Sequence, residues 1–460
     1  MQARLFNVWM AVNSSYWFIP SAMALLAIIL GIFMVWLDTR IGVNWLNEQV
    51  GWFQSIKPAG ARSVLSAIAT SMLTVAGTVF SITIAAITFA SGQFGPRLLT
   101  NFMSDRGNTV TLGTFVATSV YSLVVLRTIR AEEGGGGFVP QVAVTVAILL
   151  AFCSIAVLIY FINHVPRTIH INQVVAQIGR QLIGSVDDRF PRSIGAPARP
   201  PAERSEPIQP PPESMRPSQS ILAEETGYIQ TIEEGDLLDA ASERELVLRL
   251  HYRPGDFVAA GRPLLEAWPL DRLDDEVCAE LRQAIIIGDE RTPYGDLHFL
   301  IEELVEVASR ALSTGVNDPV TAITCMDWLG AGLSEIASRT LPDPVRRSKD
   351  GKARVIAFPD RFETLIDLSL GRLRHYAAGD PTAAMHLLKT IGLVASSCTS
   401  DERVRLLDQE RQRLARLAEE RLTGPSLHVV DRANSKLATL LAHGPGQIDE
   451  REVAWLGGSA

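Results

Sequence analysis

The chain has 460 residues, 47% hydrophobic and 20% charged, with 42 basic against 50 acidic side chains and a formal net charge of -8. That length exceeds one ordinary core, and the acidic balance excludes a nucleic-acid-binding function, whose affinity rests on clustered Lys and Arg neutralising phosphates. Apolar and charged residues are segregated: residues 1–166 hold long uncharged stretches, and residues 167–460 carry most of the charge.

A bilayer-spanning helix needs about 20 mostly apolar residues. Four segments satisfy that rule, at about 17–37, 66–91, 109–126 and 139–162, and make residues 1–166 a four-helix transmembrane domain in the lipid bilayer. In the first, Trp17 and Trp36 stand where interfacial aromatics belong. No convincing cleavage pattern accompanies it, so the segment is expected to be retained. The second span is longer than a bilayer requires and should tilt or continue into water. The fourth closes on Tyr160, Phe161 and His164 at the interface.

Four spans put both termini on one side. Basic residues do not say which, because Arg4, Arg97, Arg106, Arg167 and Arg180 on the terminal side balance Arg40, Lys57, Arg62, Arg127 and Arg130 on the other. The region beyond residue 166 has no export signal. Cys153, Cys278, Cys325 and Cys398 form no C-x-x-C pair or secretory framework, which suits a reducing compartment and places the termini in the cytoplasm.

The second span carries a patterned face. Thr70, Thr74, Thr78, Ser81, Thr88 and Gly92 follow helical steps, with Ala85 filling the gap. Small hydroxyl residues on one face either let helices pack closely or line a polar pathway. No Asp, Glu, Lys, Arg or His lies within the four spans, which weighs against a proton relay and leaves a passive pore open.

Residues 167–190 read as an amphipathic membrane-proximal helix, with Ile171, Val174, Val175, Ile178 and Leu182 on one face, lying on the membrane or docking on the aqueous region. His164 and His170 are six apart, which does not superpose them as a metal pair. Residues 191–220 contain nine prolines and read as a disordered linker.

Residues 221–270 alternate and turn like a small β module, through Gly227–Ile232, Glu245–Leu250, Arg253–Val258 and Gly261–Leu265. The run PGDFVAAGRPLLE is similar to the hairpin region of biotinyl and lipoyl modules, but it contains no lysine, so a swinging arm is excluded. Residues 271–425 are mainly helical and residues 426–460 form a C-terminal helix and tail. His298, Glu302 and Glu306 share one helix flank, read as a solvated face rather than a cation site. Thr292 and Pro293 read as an N-cap and first helical residue, with Gly295 and Asp296 in the opening turn.

In the turn ALSTGVNDPVTA, Gly315 fits a helix stop, Asp318 an N-cap and Pro319 the first helical position. Asn317 is left without a capping role, and a polar loop at a helix N-terminus is also able to hold an anion. Arg354–Phe358 reads as an edge strand, and Asp401–Leu422, with Val404, Leu407, Leu414 and Leu417 on one side, as a surface or oligomer-contact helix. The chain has no G-x-S-x-G, H-E-x-x-H, Walker loop, G-x-G-x-x-G or Cys/His cluster, and the tetraglycine at 134–137 follows no strand. No metal, cofactor or catalytic residue is assigned, and an enzyme is the weakest reading.

The blocks YWFIPSAMALLA, SMLTVAGTVFSITIAAITFASGQFGPRLLTNFM, LIYFINHVPRTI, ERTPYGD and ALSTGVNDPVTAI resemble an uncharacterised bacterial family of predicted integral membrane proteins, domain of unknown function 2254. The resemblance runs from about residue 5 to 375, with Thr314 where the family more usually has proline. It implies an inner-membrane protein with four N-terminal spans and a soluble C-terminal region, and supplies no activity or site.

The expected fold is therefore a membrane α-helical unit of four transmembrane helices plus a cytoplasmic α+β region with a small β-barrel or sandwich and a helical subdomain. Two functions are expected. One is a homo-oligomeric passive channel lined by Thr74, Thr78, Ser81 and Thr88, with a cytoplasmic regulatory domain. The other is a membrane-anchored sensor or scaffold that binds an unidentified protein or small ligand through Arg291, Thr292, Asp296, Asn317 and Asp318.

Overall fold

Four helices have the length and apolarity that a bilayer asks for: α1 (Phe18–Ile41), α2 (Pro58–Phe94), α3 (Arg106–Leu126) and α4 (Gln141–Ile169). The computed structural model describes residues 17–41, 57–94, 106–130, 138–189, 217–293, 295–341, 344–357 and 360–454. The tetraglycine and nearly all of the Pro-rich segment lie outside them, although Gln219 and Ser220 open the first strand. The chain divides into two compact units, 1–174 and 175–460.

In the first unit α3 packs against α1, α2 and α4. Most of its polar residues are buried, and three hydroxyls bond across to neighbouring helices. Thr118 Oγ1 lies 2.9 Å from Ser154 Oγ, Ser119 donates to the Ala69 carbonyl at 2.9 Å, and Tyr121 to that of Ala143 at 3.0 Å. Close approach depends on Gly113, where an added Cβ would stand 2.5 Å from Met23 Sδ. Large apolar side chains such as Leu25, Ile32, Leu73, Phe152 and Ile159 point outward, as lipid-facing residues do.

Charge appears only at the ends of the helices. The Asp38 carboxylate accepts from Val142 N at 3.0 Å and Ala143 N at 2.9 Å, capping α4, while Arg62 donates to the Ile129 carbonyl just past α3 at 2.9 Å. At the opposite end, the Trp17 ring lies 6.2 Å from that of Phe80. Helix α2 runs on for 14 residues past Phe80 to Phe94, which at 1.5 Å per residue is about 21 Å. The helix is thus unbroken over 37 residues, more than the roughly 20 a bilayer asks for.

The second unit begins within α5 (Ile171–Arg189) and, among the described residues, contains eight strands: β1 (Gln219–Leu222), β2 (Gly227–Ile232), β3 (Val247–Leu250), β4 (Phe257–Val258), β5 (Pro263–Trp268), β6 (Ile285–Gly288), β7 (Val345–Arg347) and β8 (Ala353–Ile356). They form two open sheets, ordered β1-β5-β3-β8-β7 and β4-β2-β6, and no closed barrel. One apolar core takes Ile221, Leu248 and Leu265 from the first sheet and Ile229, Val258 and Ile285 from the second. Helices α6 (Glu234–Glu243) and α7 (Asp275–Gln283) add Leu237, Val277 and Leu281 to it.

Two sequence expectations change here. Strands β4 and β5, which both begin within the segment resembling a biotinyl hairpin, belong to different sheets. The expected edge strand at 354–358 is instead interior. Strand β8 runs parallel to β3, with Leu248 opposite Val355, and antiparallel to β7, which forms the edge. Val345–Arg347 is too short for alternation to mark it as a strand, and it supplies the outer neighbour of β8.

The helical part comprises α8 (Leu297–Ala311), α9 (Pro319–Ser338), α10 (Phe362–Ile366), α11 (Arg372–Ala377), α12 (Pro381–Ser396), α13 (Asp401–Arg421), α14 (Gly424–Leu441) and α15 (Glu450–Ala454). A π turn, Asp367–Gly371, joins α10 to α11. On the apolar side of α13, Val404, Leu407 and Leu414 are buried beside α12 and α14, and Leu417 is half-buried. Arg403 donates to the carbonyls of Ala337 at 2.7 Å and Arg339 at 2.8 Å, closing the C-terminal end of α9.

Helix α5 docks on α9, one of the two places its amphipathic pattern allowed. Val175, Ile178, Leu182 and Val186 are fully buried. Gly179 lies under the Trp328 indole, where a Cβ would meet ring carbons at 2.3 Å, and Leu182 fits against Gly332. Arg339 donates to the Val186 carbonyl at 3.0 Å. Gly179→Ala is expected to cost about 1–3 kcal/mol by overpacking, read as a lower unfolding temperature in detergent, while Gly184→Ala, where a Cβ meets nothing within 4 Å, leaves it unchanged or higher.

Candidate functional site

The patterned face of α2 turns away from its own bundle. Ala61, Leu65, Ala69, Met72, Ala76, Val79, Thr83 and Ile87 are buried, whereas Thr70, Thr74, Thr78, Ser81, Ala85 and Thr88 are exposed. A Cβ added at Gly77 or Gly92 would meet nothing within 4 Å. Four of the exposed hydroxyls donate to the carbonyl four residues back: Thr74 to Thr70 at 2.9 Å, Thr78 to Thr74 at 3.1 Å, Ser81 to Gly77 at 2.9 Å and Thr88 to Ile84 at 2.8 Å. The single proton of each is thereby committed, and the outward surface offers oxygen lone pairs and no charge.

The aqueous residues resolve into two places. Arg291 and Asp296 come together, the guanidinium reaching Asp296 Oδ2 at 2.7 and 3.0 Å and Glu302 Oε2 at 2.5 Å. It also lies 5.3 Å from the Phe299 ring centre. Burial works against its charge, but the two carboxylates outweigh burial and hold Arg291 above the ordinary arginine range. Glu302 is shared with Arg372 at 3.0 Å. Asp296 is buried against Gly255, at φ 94, where any Cβ would fall 2.0 Å from the carboxylate.

The start of α8 differs from its sequence reading. Asp296 is the N-cap, accepting from Phe299 N at 3.0 Å, and the helix begins at Leu297. Thr292 is half-buried and precedes the helix by five residues. Gly295 explains the delay, since its φ of 75 is left-handed and no helix continues through it.

The flank of His298, Glu302 and Glu306 is covered rather than solvated. His298 Nε2 lies 3.1 Å from Asp360 Oδ1 and 3.3 Å from Arg253, and Glu306 pairs with Arg310 at 3.2 Å. No spacing signals the His298–Asp360 pair, because 62 residues separate its members. Among the described residues, no group of three His, Cys, Asp or Glu converges as metal ligands. With its charges matched internally, the cluster clasps the Arg253–Asp256 turn to the start of α8 and to α11.

Asn317 and Asp318 lie elsewhere. Asp318 caps α9, accepting from Thr321 N at 3.2 Å and the Thr321 hydroxyl at 2.6 Å, with Pro319 first in the helix, as expected. Gly315 is not the left-handed stop. That conformation belongs to Asn317, at φ 51, whose N–H donates to the Ser313 carbonyl at 2.9 Å. Asparagine tolerates this region better than most residues, which gives Asn317 the structural role its sequence context did not show. The 15 residues of α8 separate this turn from Asp296 by about 22 Å, so the two loops are not one site.

The four cysteines are free. Burial pushes the Cys398 thiol up to about 11 and raises those of Cys278 and Cys325, keeping them protonated and unreactive at neutral pH.

A family model described as "Predicted membrane protein (DUF2254)" matches residues 13–392. An uncharacterized protein of Mycobacterium bovis and one of Mycobacterium tuberculosis are each 32% identical over 396 residues, covering 85% of this chain and 74% of the relative. No solved structure matches.

Two outcomes test these assignments. Asp296→Ala removes the cap and strands Arg291 beside one carboxylate, and is expected to cost about 3 kcal/mol in denaturant unfolding. Asn317→Gly is expected to be near neutral, whereas Asn317→Val costs about 1–2 kcal/mol through its left-handed φ.

Proposed function

We propose, for a chain that belongs to the DUF2254 family of predicted membrane proteins, that it works as a homo-oligomeric passive permeation protein whose lining is the exposed face of α2. The observation that carries this reading is the outward position of Thr74, Thr78, Ser81 and Thr88. Thr118, Ser119 and Tyr121 of α3 are tied to neighbouring helices, which speaks against a route through one copy. Symmetric association of the α2 faces would place uncharged oxygen acceptors around a common axis, a lining that suits water, small cations and solutes that donate hydrogen bonds. The aqueous unit then regulates or assembles the pore, with the termini in the cytoplasm of a bacterial inner-membrane protein.

A membrane-anchored scaffold is the second reading. It draws on Val316 and Val320, 43% and 67% exposed on either side of Asn317 and Asp318, as a small apolar contact for a protein partner. The matched charges around Arg291 favour a clasp over a ligand site.

Purified protein reconstituted in liposomes is expected to pass ions, and both Thr78→Leu and the Thr74→Leu/Ser81→Leu pair are expected to abolish flux without changing oligomer size. In a Cys153→Ser background, Ser81→Cys is expected to cross-link between copies. Wild-type vesicles as tight as empty ones across voltage, pH and calcium would sink the permeation reading.

A further inference from the structure

The hairpin of β7 and β8, Val345–Ile356, concentrates positive charge in an acidic chain. Arg346, Arg347, Lys349, Lys352 and Arg354 stand against a single acidic residue, Asp350, and two of the chain's five lysines are among them. Arg354 is buried, with its guanidinium 3.4 Å from the Leu246 carbonyl and 3.9 Å from Asp350. Arg346 pairs with Glu234 at 3.3 Å. The exposed cations are Arg347, Lys349 and Lys352. Arg347 turns one N–H to the Gly351 carbonyl at 3.2 Å, and Lys352 lies 3.8 Å from Asp350. A bond from the Ser348 hydroxyl holds the Asp350 carboxyl below its ordinary range, leaving it as the one anion of the turn. Gly351, at φ 81, makes the tight turn that presents these side chains together.

We propose that this hairpin docks on the anionic lipid headgroups of the bilayer that the chain itself spans. The charges are complementary, and long Lys and Arg stems let cationic heads reach phosphates at a surface. The remainder of the chain is net negative and is repelled by an anionic leaflet, so the hairpin is favoured as the face that approaches. Four membrane spans tether it near that surface, and such a tether turns a weak patch into an effective contact. Each basic residue beside an anionic leaflet strengthens association roughly fivefold, so three give on the order of a hundredfold. The inference stands whether or not α2 lines a pore.

The test is hydrogen exchange of the full chain, comparing nanodiscs of phosphatidylcholine with nanodiscs containing one part phosphatidylglycerol to two of phosphatidylcholine. Peptides covering 345–356 are expected to exchange several-fold more slowly in the anionic discs, with high salt removing the difference. The Lys349→Glu/Lys352→Glu variant is expected to exchange alike in both lipids while peptides of α9 keep wild-type rates, which shows that the fold is intact. Equal wild-type rates in the two lipids would overturn the proposal. So would slowing of the same size by inorganic phosphate or RNA added to phosphatidylcholine discs, which would assign the patch to a soluble polyanion.

Discussion

A bilayer interior offers no water to a polar group, and the membrane unit is organised around that constraint. Helix α3 is the least apolar of the four spans and the most enclosed. Its Ser119, Tyr121 and Thr118 hydroxyls bond to Ala69, Ala143 and Ser154 on two of the helices beside it. The same demand governs the ends, where Asp38 satisfies two N–H groups of α4 and Arg62 a carbonyl beyond α3. Once α3 has taken the polar contacts, the other spans are left to face lipid with Leu, Ile and Phe. The one conspicuous polar surface among them is the outer face of α2, whose hydroxyls satisfy themselves on their own backbone.

The aqueous unit solves a different problem, the joining of a β layer to a helical bundle. Two devices accomplish it. Strand β8 returns more than a hundred residues after β3 to pair alongside it, tying the chain that leaves the helices into the sheet. The charge cluster around Asp296 then fixes the Arg253–Asp256 turn against α8 and α11. An unpaired charge in such a cluster would be strongly destabilising, and the close matching of Arg291, Asp296, Glu302 and Arg372 reflects that penalty. Gly255 and Gly179 serve the same purpose in a simpler way, since each removes a Cβ where another group must sit.

Local chemistry was legible in the sequence and long-range pairing was not. Apolar length located four spans, helical steps found the α2 face and the buried side of α5, and Asp318–Pro319 marked the start of α9. Gly315 was chosen as a stop because glycine usually takes the left-handed position, yet Asn317 holds it. Thr292 looked like a cap because Pro293 follows it, but the left-handed Gly295 between them and the helix moved the cap to Asp296. The β8 neighbours and the His298–Asp360 pair depend on residues brought together only by the whole fold, and no spacing announces such meetings. For the α2 face the sequence supplied the residues, while its outward direction needed the packing of the other three helices.

The length of α2 also bears on how the protein meets membranes of different thickness. Between Arg62 and Arg97 no charge fixes the helix at a particular depth. Its outer hydroxyls are already bonded to backbone carbonyls, so moving them from water to hydrocarbon gives up few hydrogen bonds. A thicker bilayer therefore finds further uncharged helix to cover along α2, whereas α1 and α3 end near charged groups. The membrane unit is in this sense adjustable along one helix and anchored along the others, and bilayer thickness itself becomes a variable that sets how much of α2 stands in water.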